Sequence, residues 1–229
     1  MSGADRPTGA GPGSPPGAWG FVRALFEPQD GPPTSLRRTL ALALVLPPFV
    51  ALQLLNWLCL RLDDVFFPGY RSVEVREPLF VVGLPRSGTT FLHRTLALDE
   101  ERFTTLRLWE LLLAPSVLQR RLLGGLGALD RAVGRPFGRL LAWVEGRVLG
   151  FMDDIHATSL AKPEEDYLFL LPAFAAFILI LVFPGHPRLW AVARLDTLDD
   201  DLRLGLMEFY RGCLQRHLYL VGTDRRILS

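Results

Sequence analysis

One segment, Pro78 to Leu92, has residue types and spacing that suit the binding of an anion. It opens with a short apolar run, Leu79 to Val82, which predicts a buried strand of a parallel sheet. The residues from Gly83 to Gly88 predict a tight turn, and those from Thr89 onward predict a helix. A strand, a glycine turn and a helix N-terminus together direct free backbone N–H groups at one point, and that geometry binds phosphate.

The turn differs from a nucleotide-binding P-loop in the position of its cation. Four residues separate Gly83 from Gly88, which is the P-loop spacing, but Thr89 stands where an ATPase carries the lysine that holds the β- and γ-phosphates. The cation lies inside the turn instead, as Arg86. An arginine there can lie beside a 5′-phosphate and its bridging oxygen. Hydroxyl donors that need no metal follow it: Ser87, Thr89 and Thr90.

The stretch VVGLPRSGTTFLHRTL, residues 81–96, resembles the 5′-phosphosulfate loop of sulfotransferases that use 3′-phosphoadenosine 5′-phosphosulfate (PAPS). It is most similar to the PRSGTT branch, which includes tyrosylprotein and many bacterial sulfotransferases. The resemblance implies an α/β fold with a P-loop-type parallel sheet, PAPS as co-substrate and no metal. It implies that Arg86 contacts the transferred group and the bridging oxygen. It also implies that four residues hold the 5′-phosphate: Ser87, Gly88, Thr89 and Thr90.

Two weaker similarities supply candidates for a general base. The stretch Leu108 to Leu112 resembles a region where this branch often carries a glutamate, which in tyrosylprotein sulfotransferases is the base, so Glu110 is the first candidate. A solvated helix carboxylate is the structural alternative. His156, ahead of Lys162-Pro-Glu-Glu-Asp166, resembles an H…PEED stretch of bacterial members and is the second candidate, as a base or an acceptor-site ligand. The acidic residues of that stretch can also cap a helix N-terminus.

The second signature of that family, an arginine and a serine that bind the 3′-phosphate on a later strand–helix unit, is not found. The unit is expected after a strand that begins near Arg226, whereas the given sequence ends at Ser229. We therefore expect residues 70–229 to be the N-terminal part of a sulfotransferase domain in a truncated chain. Two other function classes stay open: a P-loop kinase or NTPase, and an inactive membrane-bound fragment.

An apolar segment near the N-terminus predicts membrane association. Thr39 to Leu60 carries no charge, and as a helix it would extend about 33 Å, enough for a hydrocarbon core of about 30 Å. Because Pro47-Pro48 lies in its middle, the segment predicts a kinked span or a helical hairpin in one leaflet. A buried helix of a soluble protein is the alternative. Residues 37–64 are assigned to this element, with its topology undecided, and residues 1–36 to a disordered Gly/Pro-rich tail.

A second uncharged run, Tyr167 to Pro187, could be a span, an interfacial helix or a very apolar core helix. A single crossing would separate the phosphate loop from the strand near Arg226, which the family resemblance places in one sheet. We therefore expect this run to pack over the acceptor pocket or to enter lipid beside it. A lipid-like or membrane-borne acceptor follows as a hypothesis.

Between the two runs, residues 115–150 are rich in arginine, and Phe137 and Leu140 belong to a helical apolar face. That face predicts either a helix on anionic lipid or an ordinary surface helix whose apolar face meets the core. The second interpretation is preferred.

Composition excludes several classes of protein. With 49% hydrophobic residues the chain is not a largely disordered one, and a net charge of +1 gives no sign of nucleic-acid binding. Cys59 and Cys213, the two cysteines, exclude a disulfide scaffold and a cysteine-rich metal site. We predict that both are buried thiols.

Overall fold

The computed structural model describes residues 35–84, 87–148, 166–182, 190, 198–222 and 224–229. The helices found there are α1 (Leu36–Phe66), α2 (Thr89–Leu96), α3 (Leu108–Leu112), α4 (Val117–Ala132), α5 (Pro136–Val148), α6 (Ile178–Val182) and α7 (Asp200–Val221). The 3₁₀ helices are Pro68–Ser72 and Asp166–Leu170, and the strands are β1 (Phe103–Thr104) and β2 (Arg226–Ile227). The described chain is mostly helical with a small parallel sheet, an α/β arrangement. The predicted tail lies outside these residues, apart from its last two positions.

The sheet joins the segment before the glycine turn to the last residues of the sequence. β1 and β2 are parallel, with Phe103 opposite Arg226. On the other side of β2, Leu79 forms a parallel bridge with Leu228, and the Leu79 N–H donates to the Ile227 carbonyl at 2.8 Å. The last residues therefore lie between the loop-bearing segment and β1. The predicted strand near Arg226 is confirmed, as is its pairing with the segment before the glycine turn.

The loop-bearing segment is not buried on both faces as its sequence predicts. Leu79 and Val81 are half-buried, whereas Phe80 and Val82 are exposed, Val82 to 90%. Successive side chains of an extended segment point to opposite faces, and the described residues cover one of those faces here. The prediction of a fully buried strand is therefore wrong for Phe80 and Val82.

α1 is one uninterrupted helix, and its backbone remains helical through Pro47-Pro48. The hairpin alternative is therefore wrong. Two adjacent prolines remove two backbone donors, but the loss does not divide the helix. By length and composition, the stretch Leu42–Phe66 is sufficient to cross a membrane.

The described part of the second uncharged run lies in the hydrophobic core. Phe169 and Leu171 are buried there together with Ile180 of α6, in a cluster that also contains Leu111 of α3 and Leu214 of α7. A 3₁₀ helix and turns precede α6, so residues 166–182 form no continuous spanning helix. The core position is confirmed for the described residues of this run, but they do not form one continuous core helix.

The hairpin of α4 and α5 presents its apolar residues outward. Asp130 accepts hydrogen bonds from the N–H groups of Phe137 and Gly138, at 2.8 and 2.9 Å, and so turns the start of α5 back against α4. Phe137 and Leu140 are 73% and 57% exposed. The preferred prediction, that this face meets the core, is therefore wrong, because the turn leads α5 back along α4.

Both cysteines are free and buried, as predicted. Burial raises the pKa of the Cys213 thiol to about 11, so this thiol stays protonated and unreactive at neutral pH. α7 begins with Asp199 at its N-cap and Asp200 and Asp201 in its first turn, where the helix dipole favours anions.

Candidate functional site

The glycine turn ends in an open helix start. Gly88 has a φ of 87°, in the left-handed region that favours glycine. Its carbonyl accepts the N–H of Leu92 at 3.0 Å, which is the first hydrogen bond of α2. The N–H groups of Thr89, Thr90 and Phe91 therefore have no carbonyl within the helix to receive them. The partial positive charge at this end of α2 favours an anion.

Because Gly83 has no side chain, the side chains of Ser87 and Thr89 can pack directly against it. A Cβ atom at Gly83 would lie 2.6 Å from Ser87 Oγ and 2.6 Å from Thr89 Cγ2, so no larger residue fits without displacing them. The Ser87 N–H donates to the Leu84 carbonyl at 3.1 Å and closes the turn. Ser87 and Thr89 are thereby held beside the start of α2.

Two of the predicted site residues, Arg86 and His156, lie outside the described residues. Their predicted roles stay predictions. Gly88, Thr89 and Thr90 lie together at the start of α2, with Ser87 immediately before them.

Glu110 follows the carboxyl end of β1 in the chain. In parallel α/β sheets, ligands bind beyond the carboxyl ends of the strands. Its Oε2 accepts the Arg107 N–H at 2.8 Å as the capping box of α3. Its Oε1 lies 3.5 Å from Nη1 of Arg120, and the Glu110 side chain is only 12% exposed. The alternative of a solvated helix carboxylate is therefore wrong. To act as a base, the Glu110 carboxylate would have to accept a proton although it is already bound to the Arg107 N–H and to Arg120.

Arg120 extends this ion pair into a buried network that the sequence analysis did not find. Its Nη1 donates to His217 Nδ1 at 2.8 Å, and His217 Nε2 lies 2.9 Å from the Thr104 hydroxyl oxygen. Burial and the positive charge of Arg120 both lower the pKa of His217, so the ring is neutral at pH 7 and its Nε2–H donates to Thr104. The network therefore connects Glu110 on α3 to strand β1 through α4 and α7.

The described parts of the chain contain no candidate metal site. Among those residues, no group of three or more His, Cys, Asp or Glu side chains is arranged to hold an ion.

A family model described as the sulfotransferase family matches residues 78–193. The matched range begins directly before the loop-bearing segment and covers just over half of the 229 residues. The chain belongs to the sulfotransferase family. The match contains Glu110 and His156, whereas α1, α7 and β2 of this sulfotransferase lie outside it. No curated protein and no solved structure matches the chain significantly.

In this sulfotransferase, Asp166 of the acidic stretch opens a 3₁₀ helix, as the capping interpretation predicts for that residue. Its carboxylate accepts a hydrogen bond from the Tyr210 hydroxyl of α7. Burial, followed by the negative charge of Asp166, raises the pKa of Tyr210, so the phenol stays protonated. The contact attaches the apolar core segment to α7. Glu164 and Glu165 lie outside the described residues.

Proposed function

We propose that the protein transfers a sulfuryl group from PAPS to a hydroxyl or amine acceptor. Membership of the sulfotransferase family gives the general reaction. PAPS as the donor is supported by one observation above all: Ser87 and Thr89 fold over Gly83 beside the open start of α2. Arg86 lies inside the turn in the sequence, where it can accompany a 5′-phosphate. The lack of lysine after Gly88 argues against a kinase or an NTPase.

When it is bound, PAPS supplies a sulfuryl group attached to a 5′-phosphate leaving group. The N–H groups at the start of α2, the loop hydroxyls and Arg86 hold that phosphate. The acceptor oxygen or nitrogen forms a bond to sulfur while the bond from sulfur to the bridging oxygen breaks, and the acceptor proton passes to a base. Because negative charge grows on the departing oxygen, Arg86 and the loop N–H groups stabilise the transition state more than the ground state.

Calorimetry of the full-length protein tests the donor. We expect binding of 3′,5′-bisphosphoadenosine without Mg²⁺, and much weaker binding of ATP with or without Mg²⁺. Gly83→Ala is expected to weaken the binding of 3′,5′-bisphosphoadenosine about tenfold or more, because the new Cβ displaces Ser87 and Thr89 from the phosphate. The matched control is Gly124→Ala, since a Cβ at Gly124 meets nothing within 4 Å.

The opposite result would identify another function. Mg²⁺-dependent binding of ATP in preference to 3′,5′-bisphosphoadenosine would replace the proposal with the kinase or NTPase class. Binding of neither nucleotide would favour an inactive membrane-bound fragment. Equal affinities in Gly83→Ala and Gly124→Ala would show that the glycine turn is not the phosphate site.

We propose Glu110 and His156 as the two candidates for the base, and the pH dependence of kcat distinguishes them. Loss of the base is expected to lower kcat about 10²–10⁴-fold and to remove the acidic limb of the pH profile. Glu110→Gln and His156→Gln are compared after each is shown to bind 3′,5′-bisphosphoadenosine normally. If Glu110 acts only through Arg107 and Arg120, Glu110→Gln lowers the unfolding temperature and leaves kcat unchanged. An acidic limb retained in both variants would remove both residues from this role.

The acceptor is proposed to be lipid-like or membrane-borne. The support is the length and apolar character of α1 and the outward apolar face of the α4–α5 hairpin, which suit a protein located at a membrane.

A further inference from the structure

α1 packs against the rest of the protein along one complete face. Its inward residues recur at alternating steps of four and three: Leu42, Leu46, Phe49, Gln53, Asn56, Leu60 and Asp63. The first three pack against the hydrophobic core, and the Phe49 ring meets the Phe174 ring edge-on, with 6.1 Å between centroids. This inward stripe covers about 32 Å of helix, so α1 lies along the domain for most of its length.

The C-terminal half of that stripe is polar and tightly bound. Asp63 is fully buried, and its carboxylate accepts the N–H groups of Val117 and Leu118 at 2.8 and 2.9 Å, which caps the start of α4. The same carboxylate pairs with the Arg216 Nε of α7 at 3.0 Å. Because a buried carboxylate without these partners is very costly, Asp63 fixes α1 to both helices.

Asn56 makes a second polar connection, about two turns before Asp63 on α1. Its Nδ2 donates to the Leu112 carbonyl at 3.0 Å, and its Oδ1 accepts from Gln119 Nε2 at 2.8 Å. Asn56 is fully buried and Gln53 nearly so. If α1 crossed a bilayer, its buried polar side chains would lie in hydrocarbon. Either the helices that bind them would have to enter the hydrocarbon too, or the hydrogen bonds would break. These buried polar contacts argue against a position of α1 across the bilayer.

The opposite face of α1 is apolar and exposed. Its outward residues include Leu40, Leu44, Leu54, Leu55 and Leu58, each more than half exposed. The C-terminal half of α1 thus has polar groups inward and leucines outward, which is the reverse of a surface helix of a soluble protein.

The α4–α5 hairpin shows a second exposed apolar face, bordered by arginines. On α4 the exposed residues follow one helical stripe: Leu122, Leu126, Leu129 and Val133 at its end. On α5 they are Phe137, Leu140 and Trp143. The arginines Arg121, Arg131, Arg135 and Arg139 are exposed on the same hairpin. Aromatic and aliphatic residues beside arginines are typical of helices that lie in the headgroup region of a membrane.

We propose that the outward faces of α1 and of the α4–α5 hairpin bind in the plane of an anionic bilayer, so that the protein enters one leaflet without crossing it. A second copy fits this surface less well, because a two-fold interface would bring the hairpin arginines of both copies together. Anionic headgroups neutralise those arginines while the leucines leave water. This inference does not depend on the sulfuryl-transfer proposal.

Vesicle flotation with the full-length protein tests the binding. We expect the protein to float with vesicles of equal parts phosphatidylcholine and phosphatidylglycerol, and to bind phosphatidylcholine alone more weakly. The triple variant Leu44→Glu, Leu54→Glu, Leu58→Glu is expected to lose about tenfold or more of this partitioning. The matched control is Leu98→Glu, since Leu98 is 81% exposed but lies on neither face. Circular dichroism checks that each variant is folded.

Depth measurements distinguish surface binding from spanning. A fluorophore is attached to Leu44→Cys or to Leu58→Cys, which is selective because Cys59 and Cys213 are buried, and is quenched by lipids brominated at different depths. In-plane binding gives the same shallow depth at both positions. A span would place them about 21 Å apart, and that result overturns the proposal, as would a failure of the parent protein to float. A dimer that the triple variant dissociates, without flotation of the parent, would assign the face to a second copy.

Discussion

Replacing Arg86 with alanine is expected to lower kcat for sulfuryl transfer about 10²–10³-fold, which is the usual loss when one preorganised donor to a developing negative charge is removed. The departing oxygen of the donor gains charge as the bond to sulfur breaks, and the guanidinium is proposed to neutralise it. Steady-state rates at saturating donor and acceptor measure the effect. Arg86→Lys keeps the charge but not the planar fork, so its kcat is expected to lie between those of the alanine variant and the parent.

The control for this loss is an arginine of the same charge outside the turn. Arg102 is well exposed and contacts Asp99 at 3.6 Å on the surface, so Arg102→Ala is expected to leave kcat unchanged. Thermal unfolding of Arg86→Ala should match that of the parent. A kcat for Arg86→Ala within twofold of the parent would contradict the assigned role, whatever the outcome of the nucleotide-binding experiment.

The second large effect concerns stability. Arg216→Met is expected to lower the free energy of unfolding by about 3–5 kcal/mol, because it leaves a buried carboxylate without its cation. Arg216 pairs with Asp63 at 3.0 Å and with Asp64 at 3.2 Å, and it donates to the Leu60 carbonyl at 3.0 Å. Its guanidinium also lies 3.9 Å from the centroid of the Tyr70 ring. Urea unfolding followed by circular dichroism measures the change.

Removing the charge of Asp63 as well should restore part of the lost stability. In the double variant Asp63→Asn, Arg216→Met no buried charge lacks its partner, so we expect it to be more stable than Arg216→Met alone. Arg203→Met is the matched control, since Arg203 forms an exposed ion pair with Asp200 on the same helix and should change stability by less than about 1 kcal/mol. An Arg216→Met protein as stable as Arg203→Met would show that the buried pair contributes nothing.

Local features of the sequence predicted the start of α2. The glycine spacing and the helix start depend on residues close together in the chain, and α2 begins at Thr89, directly after Gly88. The triple aspartate at the start of α7 was predictable for the same reason. Before the turn, Leu79 forms a parallel bridge, whereas residues 79–82 do not form the predicted strand. A capping box joins Arg107 to Glu110, three residues apart, but the pairing of Glu110 with Arg120 depends on how α3 and α4 pack.

The remaining differences between prediction and structure concern helix faces. The periodicity of a sequence shows which residues share a face, but it does not show which part of the protein packs against that face. Phe137 and Leu140 follow helical spacing, yet the turn before α5 leaves them exposed. The second uncharged run is apolar all round, so its pattern alone could not separate core from membrane. Gln53, Asn56 and Asp63 already share one face of an apolar helix in the sequence, which is a signal of inward polar contacts. Arg216, the partner of Asp63, follows only from the tertiary fold.

The position of β2 between the loop-bearing segment and β1 determines when the segment before the glycine turn can be anchored. Leu79 and Thr104 acquire their shared neighbour only after residues 226–229 leave the ribosome, and contacts between such distant parts of a chain form slowly. During synthesis, the nascent protein therefore has α1 available for early contacts long before its glycine turn is anchored.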